Sequence, residues 1–137
     1  MFDISKNKRD RKAEEQGKWM PWQGGSSFLV ARNNNSGYKA FINKVLRDNS
    51  AVLENADELA IADQISDQAL IEGVARHLLV DWKGVTDGGK AIKYSANVAI
   101  AILEEHDDLA RAISTFATSR DNYLVKVDDK DAANLKK

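Results

Sequence analysis

The chain predicts a mainly α-helical α+β domain, and three observations predict it. Apolar residues recur three and four apart over most of its 137 residues, the spacing that lines one face of a helix. Two short aromatic and β-branched runs flank Gly24-Gly25-Ser26, the pattern of a β-hairpin. A second glycine turn, Asp87-Gly88-Gly89-Lys90, has short strand-forming residues on both sides. The expected architecture is therefore a compact domain of about four helices with an N-terminal hairpin and a small ribbon near 85–92.

Composition narrows the function classes. The length suits one domain with a sizeable core. Apolar residues make up 43% and charged residues 30%, the balance of an ordinary folded domain. No apolar run approaches the roughly 20 residues of a membrane span. Met1-Phe-Asp-Ile leads into charged residues, without the apolar core of a signal peptide. The chain has no cysteine, which excludes disulfides, thiolate zinc sites and cysteine nucleophiles. A net charge of −1 gives no long-range attraction to nucleic acid or membrane. Charge is unevenly spread, however. Lys6, Lys8, Arg9, Arg11 and Lys12 crowd the start, whereas Asp48 to Ala75 holds seven acids and no Lys or Arg.

Taken in order, residues 1–17 lack apolar periodicity and read as a flexible arm. Acids dilute its basic cluster, and no aromatic residues are interleaved for nucleic-acid stacking. The domain proper is expected over 18–123. Lys18–Gln23 and Ser27–Arg32 form the hairpin, and Pro21, which cannot donate to a ladder, places its strand at an edge. Ser36 caps a helix to about Asp48, whose Tyr38, Phe41, Ile42, Val45 and Leu46 make a core-facing stripe. A long helix is expected from a cap at Asp57 to Trp82, either continuous or broken near Ser66-Asp67. Gly73 within it permits close approach of a neighbour. Ser95 caps the next helix, with Val98, Ala99, Ile102 and Leu103 on one side. Asp107 or Asp108 caps the last, with Leu109, Ala112, Ile113, Phe116 and Ala117 inward. Residues 124–137 read as a flexible polar tail.

Candidate chemistry is thin. Glu104-Glu-His-Asp-Asp108 has the residue types of a metal or acid/base site, but five consecutive side chains radiate around a helix instead of converging on one ion. His77 has no partner at ligand spacing and reads as a half-buried packing residue. Asp87-Gly-Gly-Lys90 lacks the spacing of a phosphate loop, and no serine has nucleophile-elbow context. No catalytic residue, metal site or cofactor is therefore expected. The aromatic hairpin residues Trp19, Trp22 and Phe28 either cover the helical core or form a protein interface.

The stretch Leu79-Val-Asp81-Trp82-Lys83-Gly84-Val85-Thr86-Asp87, followed by Lys90, Ile92, Tyr94-Ser95 and the helix bearing Val98 and Leu103, resembles the tail assembly chaperones of long-tailed, siphovirus-type bacteriophages. The order of features from Phe2-Asp-Ile-Ser-Lys6 to about residue 120 is similar too. Ala96-Asn97 stands where many such sequences have Pro-Glu.

The resemblance implies a non-enzymatic protein of the host cytoplasm, absent from the mature virion. It would keep the long, helical tape-measure protein soluble until tail-tube protein assembles around it. It also implies self-association and association with a frameshift-extended form. The expected contact surfaces are the hairpin with Trp19, Trp22 and Phe28 and the long helix around Ile61 and Ile65. The signature residues Asp81, Trp82, Lys83, Gly84, Val85, Thr86, Asp87, Tyr94 and Ser95 are expected to be structural. A small structural protein of the tail or head–tail junction is the alternative. A nucleic-acid-binding regulator using Lys6–Lys12 is more distant on charge.

Overall fold

The computed structural model describes residues 1–53 and 59–125, and the side chains of 52–53 and 59–65 lie outside that description. In chain order the elements are α1 (Arg11–Gln16), β1 (Lys18–Pro21), β2 (Ser27–Val30), α2 (Ser36–Asp48), α3 (Ser50–Leu53), α4 (Leu59–Gly73), β3 (Leu79–Lys83), β4 (Thr86–Asp87), β5 (Lys90–Ala91), α5 (Ala96–Glu105) and α6 (Asp107–Thr118). The domain is mainly helical α+β, as its periodicity predicts. An antiparallel sheet ordered β1-β2-β3 packs one face on the helices, and β4-β5 forms a separate ribbon.

The hairpin forms where expected, with Trp19 opposite Leu29 and Pro21 opposite Ser27. Pro21 indeed lies on an edge strand, where a missing N–H costs no ladder bond. Alternation then sorts the side chains. Met20, Phe28 and Trp82 form a buried row across three strands, while Trp19, Leu29 and Asp81 face away from it.

The long helix departs from expectation at its C-terminal end. It is continuous through Ser66-Asp67 but ends at Gly73. One π-helical turn, Val74–Leu78, follows, in which the Leu79 N–H reaches back to the Val74 carbonyl. Leu79 to Trp82, expected as the end of the helix, lies instead in the third strand, Leu79–Lys83. Val74, Ala75 and Leu78 are fully buried, so the widened turn sits in the core and swings the chain onto the open edge of β2. The expected cap Asp57 lies outside the described residues.

Capping differs in detail. Ser95 caps α5 as predicted, accepting from the Val98 N–H at 3.2 Å. At α2 the cap is Asn35 instead of Ser36: its carbonyl oxygen accepts from the Tyr38 N–H at 2.8 Å, and its amide donates to the Arg32 and His77 carbonyls. One side chain thus fixes the start of α2 to the end of the π turn. At α6 the N-cap is His106, with no side-chain capping bond, while Asp107 and Asp108 occupy the first turn and favour the helix dipole there.

The N-terminal segment is more firmly attached than an arm. Arg9 pairs with Leu124, Asp10 N–H donates to the Tyr123 carbonyl at 2.7 Å and Val125 N–H to the Lys8 carbonyl at 2.9 Å. The cause is Glu14. Its carboxylate is buried, 4% exposed, and ion-paired with Arg9 and Arg32, a pairing of residues far apart in sequence that periodicity does not reveal. The hydrogen bond from Arg9 chiefly holds the Glu14 carboxyl down to about 2, against a burial effect that raises it, with Arg32 and Asn34 adding to the lowering.

Two predictions follow from these contacts. Because the folded-state value of Glu14 lies below its ordinary 4.5, its stabilisation is full above pH 4.5 and disappears as pH falls toward 2. Glu14→Gln is expected to cost on the order of 2 kcal/mol at pH 7 and to flatten the stability profile between those pH values, read by urea titration at each pH. Gly84 has φ +71°, and an added Cβ would lie 3.2 Å from Ser26 Cα and 3.3 Å from Gly25 O. Gly84→Ala should therefore destabilise the fold by about 1–3 kcal/mol, measured as a lower Tm.

Candidate functional site

The signature stretch folds into a buried aromatic junction. Trp82 is 7% exposed, and its indole Nε1–H donates to the Ile92 carbonyl at 2.7 Å. The ring meets Phe28 edge-on at 6.3 Å and Tyr94 edge-on at 5.1 Å. The Tyr94 hydroxyl donates toward the Leu79 carbonyl at 2.8 Å and lies 3.3 Å from the Ala75 carbonyl. Burial, with a smaller contribution from the Asp81 charge, raises the Tyr94 hydroxyl above its usual range, so it remains a donor to the carbonyls of the widened turn. Asp81 accepts from the Trp82 N–H at 2.8 Å. Gly84, Val85, Thr86 and Asp87 carry the chain into the ribbon, and the Ile92 N–H returns to the Val85 carbonyl at 2.9 Å. This set joins the sheet, ribbon and α5. It presents no reactive group.

The proposed aromatic interface separates into three environments. Phe28 is 3% exposed and belongs to the core, because the inward positions of the central strand receive it. Phe28 is therefore no surface contact. Trp22 is half-buried against the same core. Trp19 alone of the three is exposed, at 37%, with Lys83 Nζ 4.2 Å from its ring centroid. That is a cation–π contact on the outer face of the sheet. The side chains of Ile61 and Ile65 lie outside the described residues.

The polar candidates have structural settings. His77 is half-buried beside Phe41, ring centroids 5.2 Å apart. Glu104 to Asp108 are all exposed at the α5–α6 corner, and Asp107 pairs along its own helix with Arg111 at 3.4 Å. Among the described residues no group of three or more acids or histidines is placed to hold a metal ion.

The surface that sequence reasoning assigned to the core is the stripe of α2. None of its residues is fully buried, and Leu46 is 53% exposed. Gly73 allows α4 to approach closely, since an added Cβ there would lie 3.1 Å from the Phe41 ring and 3.2 Å from that of Tyr38. Farther along, the two helices line a groove of about 280 Å³ with Tyr38, Ile42, Val45, Leu46, Ser66, Ala69 and Leu70. A clue was present in the sequence: Lys39, Lys44 and Arg47 crowd the other faces of a short helix whose five apolar residues have few neighbours in so small a domain.

With this geometry in view, residues 34–134 match the family described as YdaY prophage protein. The chain belongs to the YdaY prophage protein family. The protein is phage-derived, as the resemblance implied at its coarser level. The match takes in α2, α4, the aromatic junction, α5 and α6, so the groove and the signature stretch both fall inside it, whereas β1 and β2 precede it. No curated protein matches the chain, and no solved structure matches it.

The junction of this prophage protein makes a specific prediction. Tyr94→Phe removes the donor to Leu79 while preserving the ring, leaving a part-buried carbonyl unpaired. It should lower stability by about 1–2 kcal/mol, read by denaturant unfolding, with helix content unchanged in circular dichroism.

Proposed function

We propose that this phage-derived protein is a non-enzymatic tail assembly chaperone that receives an amphipathic helix of the tape-measure protein in the α2–α4 groove. One observation carries the reading. A helix whose apolar stripe is only half-buried, with Leu46 exposed, stands beside a second helix, and together they line an apolar groove, the form that helix-in-groove recognition uses. Tyr38 to Leu46 spans about 12 Å of helix axis, enough for roughly two turns of a bound helix. Family membership supports the phage context, and the likeness of Asp81–Asp87 and Tyr94-Ser95 to tail assembly chaperones supplies the tail.

A tape-measure chain of extended amphipathic helices exposes apolar stripes until tube protein surrounds it, and several small chaperones can cover them meanwhile. On this reading the protein acts in the host cytoplasm, passes its cargo to the tail-tube protein, self-associates, associates with a frameshift-extended form of itself and leaves before the virion is complete. The structural assignments of His77, Glu104–Asp108 and Trp82–Tyr94 fit a binding protein better than a catalyst. No described helix is long and apolar enough to cross a membrane.

Co-expression with the adjacent tape-measure product tests this. The soluble fraction of that product should rise and the two should co-purify. Leu46→Asp should weaken retention by at least about ten-fold, as expected for an exposed apolar anchor. Neither gain in solubility nor retention, or recovery of the protein in stoichiometric amount from purified particles, would overturn the proposal. The latter outcome would favour a structural protein of the tail or head–tail junction.

A further inference from the structure

A cavity of about 330 Å³ opens where the hairpin turn, the bend after β3 and the α5–α6 corner meet. Phe28, Ile102 and Leu109 give it an apolar floor, and the half-buried Trp22 forms one wall. The walls are held locally. The Trp22 N–H donates to the Ser26 carbonyl at 2.8 Å, and Ser26 Oγ donates to the Gln23 carbonyl at 2.6 Å. Gly84 packs so close that an added Cβ would lie 3.2 Å from Ser26 Cα, which fixes the bend against the turn. The polar lining, by contrast, is unused. Gln23, Thr86, His106 and Asp108 are exposed, and their side chains have no hydrogen-bond or ion-pair partner among the described residues. Asn35, Tyr94 and Asn122, elsewhere in the fold, are each committed to backbone carbonyls. Polar groups that converge on a preformed apolar hollow without partners of their own mark a binding site.

The lining also selects its ligand. No Lys or Arg contributes to it, and Asp108 is its one formal charge. The two cations nearest in sequence to lining residues are engaged elsewhere: Lys83 Nζ lies 4.2 Å from the Trp19 ring centroid, and Arg111 pairs with Asp107 at 3.4 Å. We propose that the cavity receives an arginine side chain from a basic segment of a protein partner, with the guanidinium against the Trp22 ring and ion-paired with Asp108. Arginine fits this lining better than lysine. Its methylenes cover the apolar floor, its planar head stacks on an indole, and its fork of N–H groups serves a carboxylate and neighbouring acceptors together. The Gln23 amide oxygen and the Thr86 hydroxyl are such acceptors. An anion would meet the Asp108 carboxylate, and a purely apolar side chain would cut Gln23, Thr86 and Asp108 off from water without replacing it. The cavity shares no lining residue with the α2–α4 groove, so the assignment stands apart from the tail-chaperone reading.

Titration of the 15N-labelled full chain with the capped tripeptide acetyl-Gly-Arg-Gly-amide, followed by two-dimensional NMR, tests the assignment. The Trp22 indole N–H, identified by its loss in Trp22→Phe, and the Gly84, Thr86 and Asp108 amides should shift saturably, with a Kd of about 1–10 mM for this single anchor. The same peptide carrying citrulline, the uncharged isostere of arginine, should bind about ten-fold more weakly. Asp108→Asn should weaken binding by a similar factor. Asp107→Asn, beside it but outside the lining, should change binding by less than about two-fold. The spectra of the free variants check that the fold is intact. No saturable shift up to about 20 mM peptide, equal binding of the citrulline peptide, or an Asp108→Asn chain that binds as the wild type does would each overturn the assignment. Equal losses in the two Asp variants would overturn it too, by reducing it to general attraction of cations to an acidic corner. The cargo proposal would still be judged by co-expression.

Discussion

The burial of Trp82 is the constraint on which the rest of the structure depends. An indole in a core must place its N–H on an acceptor, and the acceptor here is the Ile92 carbonyl across the β4–β5 ribbon. That bond determines how the ribbon folds back after Gly84. The ring's edge-on contacts with Phe28 and Tyr94 then hold the central strand of the sheet on one side and the approach to α5 on the other. Tyr94 closes the circuit by bonding back to the residues that end the π turn. Three segments, around residue 28, residues 75–82 and residues 92–94, thus meet around one side chain, and a stretch with no chemistry of its own becomes a fixed joint of the fold.

Glu14 plays a comparable role at the other pole. A buried carboxylate is costly unless paired, and this one is satisfied by Arg9 from its own segment and Arg32 from the residues after β2. Around it the beginning of the chain pairs with residues 124 and 125, while the buried Tyr123 hydroxyl donates to the Val30 carbonyl at 2.9 Å. Burial pushes the Tyr123 hydroxyl well above its ordinary range, which keeps it protonated as that donor. Aromatic burial secures the middle of the chain and charge pairing ties residues 9–14 to Arg32, so the two respond differently to pH.

Between these anchored regions, the α2–α4 surface is the apolar remainder. The inner face of the sheet, the π turn, α5 and α6 share one core, and α2 reaches it only through its Tyr38 edge. Gly73 lets the two helices approach closely, while Leu46 at the far end of α2 stays 53% exposed. An exposed apolar trough carries a risk of aggregation, and the binding role proposed for this phage-derived protein would give it a use.

Much of the fold was legible from local rules. The hairpin, Pro21 at the edge, the ribbon, Ser95 as a cap, the stripe of α6, that of α5 except for Val98, which is exposed, and the close approach at Gly73 each follow from one residue type at one spacing. The misplaced features all depended on partners distant in the chain. Leu79 to Lys83 joins a sheet because β2 offers an open edge, although its apolar residues continue the helical spacing. Phe28 is core because β2 is the central strand, a fact fixed only when β3 arrives. Residues 8–17 are held because Arg32 lies over Glu14. The α2 stripe reads identically whether a neighbour covers it or not. By itself the sequence determined the hairpin, the ribbon and most of the helices, and through its signature stretch it pointed to a phage protein, since those properties are written in contiguous residues. Tertiary structure alone decided which apolar faces are buried and which remain a surface, because burial depends on what packs opposite and not on the face itself.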